Sequence, residues 1–213
     1  MTNFSSVVNR NRQIAITGAM SALTILMGIP GLHIGYIQIS PTVSLTIMHI
    51  PVIIAAIFAG LPGGAVTGLI FGLSSLINAA ANPSGVLDPL FVNPLCSVLP
   101  RLLFGLSAWG IYKLLSFIPY CPKVVNSAIS ALLSSLAHSF FVIGSMYLFL
   151  NSQITEAMGG LGYIALMAMI LPGSFMEAVA ATFVCIIVFS AITITVQGKS
   201  KLSDEEFEKE IEE

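Results

Sequence analysis

The sequence is short of charge. Only 8% of its 213 residues are Asp, Glu, Lys or Arg, against about 25% in an ordinary soluble domain. Seven of the ten acids crowd into the last ten residues, DEEFEKEIEE. Ahead of them stand only Asp88, Glu156 and Glu177. So bare a surface excludes a soluble globular domain. No cluster of Lys and Arg exists, which excludes a nucleic-acid binder. The three cysteines, Cys96, Cys121 and Cys185, are dispersed and form no CxxC pair, so neither a disulfide framework nor a thiolate metal site is indicated. There is no P-loop, no nucleophile elbow and no pair of carboxylates. Enzyme chemistry and a bound cofactor are therefore not expected, and the chain cannot draw on ATP by itself. The polar start, MTNFSSVVNRNRQ, lacks a removable signal peptide, so the first apolar run is expected to be retained.

What is present is apolar. Hydrophobic residues make up 56% of the chain and the mean hydropathy is +0.94. The runs are continuous, unlike the ~10-residue alternating segments of a membrane barrel. The fold class is an all-α integral membrane protein. A hydrocarbon core of ~30 Å needs ~20 apolar residues per helix. That window gives about six spans, at roughly 13–29, 44–60, 63–80, 96–118, 124–150 and 173–197. Turn chemistry separates them: Pro30-Gly31, Leu61-Pro62-Gly63-Gly64, Asn82-Pro83-Ser84-Gly85, Pro119 to Pro122, and Asn151-Ser152. The stretch 157–171 is apolar but short and ends at Pro172-Gly173, so it reads as a lid or re-entrant segment, with a seventh span as the alternative. Residues 1–198 then form one membrane domain and 199–213 an acidic cytoplasmic tail.

The bases set the orientation. Arg10 and Arg12 precede span 1, Lys113 and Lys123 flank the connection between spans 4 and 5, and Lys199 and Lys201 follow span 6. The other connections hold no Lys or Arg. The positive-inside rule places both termini and the 4–5 connection in the cytoplasm. With that orientation, Asn78, Asn93, Arg101, His49 and Glu177 fall in the outer halves of their spans or just beyond them, and His138 lies near the middle of span 5. The inner halves hold essentially no ionisable group. Ionisable residues inside a membrane are costly and point to function. A cluster at one level describes a pocket open to the outside, whereas a channel needs polar residues along its whole length. Each residue also has a plainer reading. Arg101 can snorkel or cap a loop carbonyl, or hold a substrate carboxylate as a charged fork. Glu177 can pair with Arg101. His138 divides evenly between an interhelical hydrogen bond and a ligand contact, His49 leans to a structural role, and His33 is a loop residue. Asn78, Asn82 and Asn93 can cap helix ends. Small residues repeat at four-residue spacing: Ala15 and Ala19 in span 1, and Gly60, Gly64, Gly68 and Gly72 around span 3. Such faces let helices approach closely in lipid. The glycines suit internal packing, and Ala15 and Ala19 suit a partner surface.

Over about residues 12–197 the chain resembles a substrate-binding S component of an energy-coupling factor (ECF) vitamin transporter. Three pieces carry the resemblance: Ala15-xxx-Ala19, the stretch MHIPVIIAAIFAGLPGGAVTGLIFGLSSLI (48–77), and NPLCSVLPRLLFGLSAWGIY (93–112). The stretch 45–112 is most similar to pantothenate transporters. The resemblance implies a multi-pass protein of the bacterial plasma membrane that binds a vitamin near its outer face. It implies docking, through Ala15 and Ala19, on a membrane coupling (T) protein driven by two cytoplasmic ATPase subunits. The binding role then falls on Asn78, Asn93, Arg101, His138 and Glu177. Riboflavin, folate or cobalamin remain open as ligands, and a stand-alone secondary transporter is the alternative of a different class.

Overall fold

A computed structural model of the chain describes residues 4–30, 34–38, 44–83 and 86–212, and side chains for 9–30, 34–35, 46–83 and 86–191. The loop residue His33, part of the predicted turns (Gly31, Ser84 and Gly85) and the side chains of the acidic tail lie outside these. The described chain is helical apart from one small hairpin. Helix α1 (Phe4–Met27) is followed by strands β1 (Tyr36–Gln38) and β2 (Ser44–Thr46), paired antiparallel with Ile37 opposite Leu45. Then come α2 (His49–Ala81), a 3-10 turn (Asp88–Val92), α3 (Pro94–Leu115), α4 (Lys123–Phe149), the short α5 (Asn151–Ala157) and α6 (Tyr163–Glu212). Within the described residues four helices are long and apolar enough to cross a membrane: α2, α3, α4 and the 163–191 part of α6.

Two spans expected from the sequence meet in α2. Gly60 has φ 75° and ψ −161°, outside the helical region, a conformation that favours glycine. The chain doubles back there. A Cβ placed on Gly63 would lie 2.6 Å from the Ala55 carbonyl oxygen, whereas eight residues of straight helix would separate them by ~12 Å. Residues 49–59 and 61–81 are thus antiparallel limbs joined at Gly60, with Pro62 in the first turn of the second limb, where a missing N–H does no harm. The expected span at 44–60 is corrected at its start. Residues 44–46 are strand, and the helix begins at His49.

The reading of 157–171 as a lid or re-entrant segment is also corrected. Helix α6 begins at Tyr163 and runs through Pro172. Pro172 is exposed, and a proline is tolerated in a membrane helix where neighbouring helices, hydroxyl side chains, water or a local 3-10 or π adjustment satisfy the freed backbone groups. No break separates a seventh span. The expected ends of spans 3, 4 and 5 hold to within about three residues, whereas α1 begins at Phe4, well before the expected 13, and α6 continues past the expected 197. Asn93 caps α3, its Oδ1 accepting from the Leu95 N–H at 2.9 Å, with Pro94 at the first helical position.

The packing follows the small residues. Helix α1 runs parallel to residues 61–81: Ser21 Oγ lies 3.4 Å from Thr67 Oγ1, and Gly28 packs on Ser74. Helix α3 runs antiparallel to the same limb. Gly64 and Gly105 touch backbone to backbone, a Cβ on Gly68 would lie 2.6 Å from the Arg101 carbonyl oxygen, and one on Gly72 would lie 2.7 Å from Val98 Cα. Helix α4 buries a face of short hydroxyls, Ser127, Ser130, Ser134 and Ser135. The main core is Met48, Val52, Ile53, Phe71 and Phe104. A second cluster, with Cys96, Ile143, Met146, Ile154 and Leu166, lies under α5.

This contact is testable. Gly105→Val should destabilise the protein by about 1–3 kcal/mol, as overpacking does, read as a lower melting midpoint in detergent. Gly110→Ala, where a Cβ meets nothing within 4 Å, should leave the midpoint unchanged or raise it.

Candidate functional site

Three helices bring Arg101, His49 and His138 to one region. Arg101 is on the α3 face that packs against α2, and its residue is 4% exposed. Its guanidinium donates to the Cys96 carbonyl at 2.7 Å and lies over the Phe91 ring at 4.4 Å and the Phe71 ring at 5.6 Å. Stacking of this kind suits a planar, weakly hydrated cation. One turn further on, Phe104 faces the same way and is fully buried.

His138 sits at the centre of an aromatic group. Phe104 is 4.9 Å from it between centroids, Phe71 is 5.5 Å away, and His49 is 6.1 Å away with its ring only 10° from parallel. Both histidines are buried. His49 opens α2, directly after the base of the hairpin. That base is tied down: the Gly35 N–H donates to the Met27 carbonyl at 3.1 Å, and the Ile47 N–H donates to the Gly35 carbonyl at 3.1 Å. The Glu177 carboxylate of α6 accepts the Thr46 N–H. Glu177 therefore reaches the hairpin, and its partner here is a backbone amide, not the Arg101 suggested by charge pairing.

The sequence-derived candidates thus divide. Arg101 and His138 share the Phe71 wall, and Glu177 joins them through the hairpin base. Asn93 is engaged as the α3 cap. Asn78 is half-buried and its backbone carbonyl accepts from the Asn82 N–H, so both asparagines stand at helix ends. Sequence reasoning under-weighted His49, Phe71, Phe91 and Phe104. The signal for Phe104 was its i+3 spacing from Arg101, which puts both on one helix face. His49 carried no such signal, because its closeness to His138 is a tertiary contact. Among the described residues no three His, Cys, Asp or Glu side chains gather as a metal site would require. On α1, Ala15 and Ala19 lie on an exposed face with Gly18 and Ala22, and a Cβ on Gly18 would meet nothing within 4 Å.

Comparison with known proteins defines the class. The family described as "ECF transporter, substrate-specific component" matches residues 12–189, and the chain belongs to it. It is a multi-pass plasma-membrane protein of vitamin uptake, and its relatives are transporters. The Pantothenic acid transporter PanT of Lactococcus lactis subsp. cremoris (strain MG1363) is 25% identical over 161 residues, covering 70% of this chain and 77% of that protein. The Pantothenate transporter PanT of Leuconostoc mesenteroides subsp. mesenteroides is 34% identical over 102 residues, covering 46% of this chain and 49% of that relative.

The hairpin anchor yields its own prediction. Glu177→Leu removes the acceptor of the Thr46 N–H and should cost about 1–3 kcal/mol. Amide exchange at Thr46 should quicken in this variant. Glu177→Gln, which keeps an acceptor oxygen, should stay close to the wild-type rate.

Proposed function

We propose that the chain is the high-affinity substrate-capturing subunit of an ECF-type, ATP-driven uptake transporter, and that its substrate is pantothenate. The observation that carries this reading is Arg101: a buried guanidinium packed on Phe91 and Phe71, next to His138, in a chain otherwise almost without charge. Pantothenate has a carboxylate for the guanidinium and hydroxyl and amide groups for imidazole, amide and carboxyl side chains. The names of two relatives support the same ligand. Arg101 and His138 form the centre of the binding site, with Asn78, Asn93 and Glu177 at its rim.

The chain crosses the membrane six times in this reading, the second crossing made by the short limb 49–59 together with the ribbon that precedes it, with both termini and the α3–α4 connection in the cytoplasm. The alternation of helix directions supports it. Gln13 and Trp109 approach Gly60 at one end of the bundle, while Met48 and Ser74 surround Gly28 at the other. The first end, with Lys113 over Trp109 at 4.9 Å, faces the cytoplasm. The site then opens outward. Capture precedes docking: the exposed Ala15–Ala19 face of α1 meets the membrane coupling protein, and two cytoplasmic ATPase subunits supply the energy. Small residues there allow the close helix approach that van der Waals packing in lipid requires.

The test is an equilibrium titration of the purified, detergent-solubilised chain with a vitamin panel. Tight binding of pantothenate is expected. Tight binding of riboflavin, folate or cobalamin instead overturns the substrate and keeps the class. Arg101→Ala should weaken pantothenate binding by about 1.5–3 kcal/mol, roughly 10- to 150-fold, the range for a hydrogen bond to a charged group. Replacing Ala15 and Ala19 together by leucine should abolish ATP-dependent uptake by the assembled transporter while sparing pantothenate binding by the isolated chain.

A further inference from the structure

We infer that His49 is a ligand-contacting residue, and that the His49–His138 pair reads the hydroxyl-bearing end of a substrate whose carboxylate lies at Arg101. The inference rests on the capture reading given above and extends it to a residue of α2.

Its basis is a set of buried polar atoms without partners. His49 is 1% exposed and His138 is 4% exposed. Neither ring nitrogen of His49, and not Nε2 of His138, has a hydrogen-bond partner among the described residues. Ser134 Oγ, one turn before His138 on the same face of α4, is in the same state. Buried polar side-chain atoms in folded proteins are overwhelmingly partnered. A purely structural pair would bond to each other or to a neighbouring carbonyl. These rings are nearly parallel and no bond joins them; Phe71 and Phe104 beside them offer no acceptor, and the backbone of Thr46 and Glu177, which flanks His49, makes no hydrogen bond of normal geometry with either ring nitrogen.

The chemistry of the pair selects a class of guest. An imidazole offers a donor at one nitrogen and an acceptor at the other. A hydroxyl or an amide both donates and accepts, so it complements that arrangement. The Phe71 ring borders both the guanidinium, at 5.6 Å, and the His138 ring, at 5.5 Å. The cation and the imidazoles thus lie on either side of one aromatic ring. The class is a small, flexible carboxylate carrying hydroxyl or amide groups several bonds from the acid.

The experiment compares pantothenate with an analogue that keeps the carboxylate and amide but lacks both hydroxyls. Sites built around a substrate hydroxyl reject the analogue without it strongly. The wild-type chain should prefer pantothenate by 100-fold or more. His49→Phe keeps a flat ring and removes both nitrogens. It should lose at least tenfold of that preference and change its affinity for the dideoxy analogue less than threefold. Unchanged discrimination overturns the inference, as does equal loss of both ligands in a variant with an unchanged melting midpoint. Should His49→Phe fail to fold, the ring nitrogens of 15N-histidine-labelled wild-type protein decide. Saturating pantothenate should shift the His49 signals, and unmoved signals overturn the assignment. Absence of any pantothenate binding by the folded wild-type chain is a different result: it removes pantothenate as the substrate, and this inference with it.

Discussion

The contact of two backbones at Gly64 and Gly105 governs the rest of the molecule. In lipid, apolar side chains gain little by exchanging hydrocarbon for protein, so helices associate through close packing. Here glycines on the second limb of α2 let α3 settle against it along Gly64, Gly68 and Gly72. The Ser97 hydroxyl donates to the Gly72 carbonyl at 3.1 Å and closes the seam at its other end. This register fixes which face of α3 turns inward. Arg101 and Phe104 lie on that face, and Phe71 of α2 meets Arg101 across it. The geometry around the guanidinium is thus set by residues that have no side chain at all.

The hairpin adds a second constraint. Gly35 is held by α1, Thr46 by α6, and His49 by the aromatic group on α4, so the short ribbon is tied to three helices within a few residues. The Glu177–Thr46 bond makes one of the very few carboxylates of the membrane domain an anchor for backbone. A carboxylate so placed satisfies an amide that a ribbon only three residues wide leaves open, and it orients the first turn of α2. The position of His49 follows from that turn.

Much of the helical plan was legible. Low charge and continuous apolar runs announce membrane helices, Leu61-Pro62-Gly63-Gly64 marks the reversal at Gly60, and Asn93-Pro94 marks the start of α3. Arg101 and His138 were legible because charge is scarce enough for each polar residue to stand out. The β ribbon was not, since three-residue strands carry too little periodicity to register against their apolar surroundings. The start of α6 was misread because Pro172-Gly173 is ordinary turn chemistry, yet the helix passes through it, as α3 does through Pro100. The pairing of His49 with His138 joins residues far apart in the chain, and no local pattern encodes such a contact.

The reversal at Gly60 bears on how the protein is made. At ~1.5 Å per residue, the limb 49–59 reaches only ~16 Å, about half of a ~30 Å hydrocarbon core. Alone it would leave its terminal amides and carbonyls inside the bilayer, unsatisfied. It acquires a stable setting only when residues 61–81 lie beside it. The short limb is therefore stable in the bilayer only as half of this folded-back pair, which ties its insertion to that of residues 61–81.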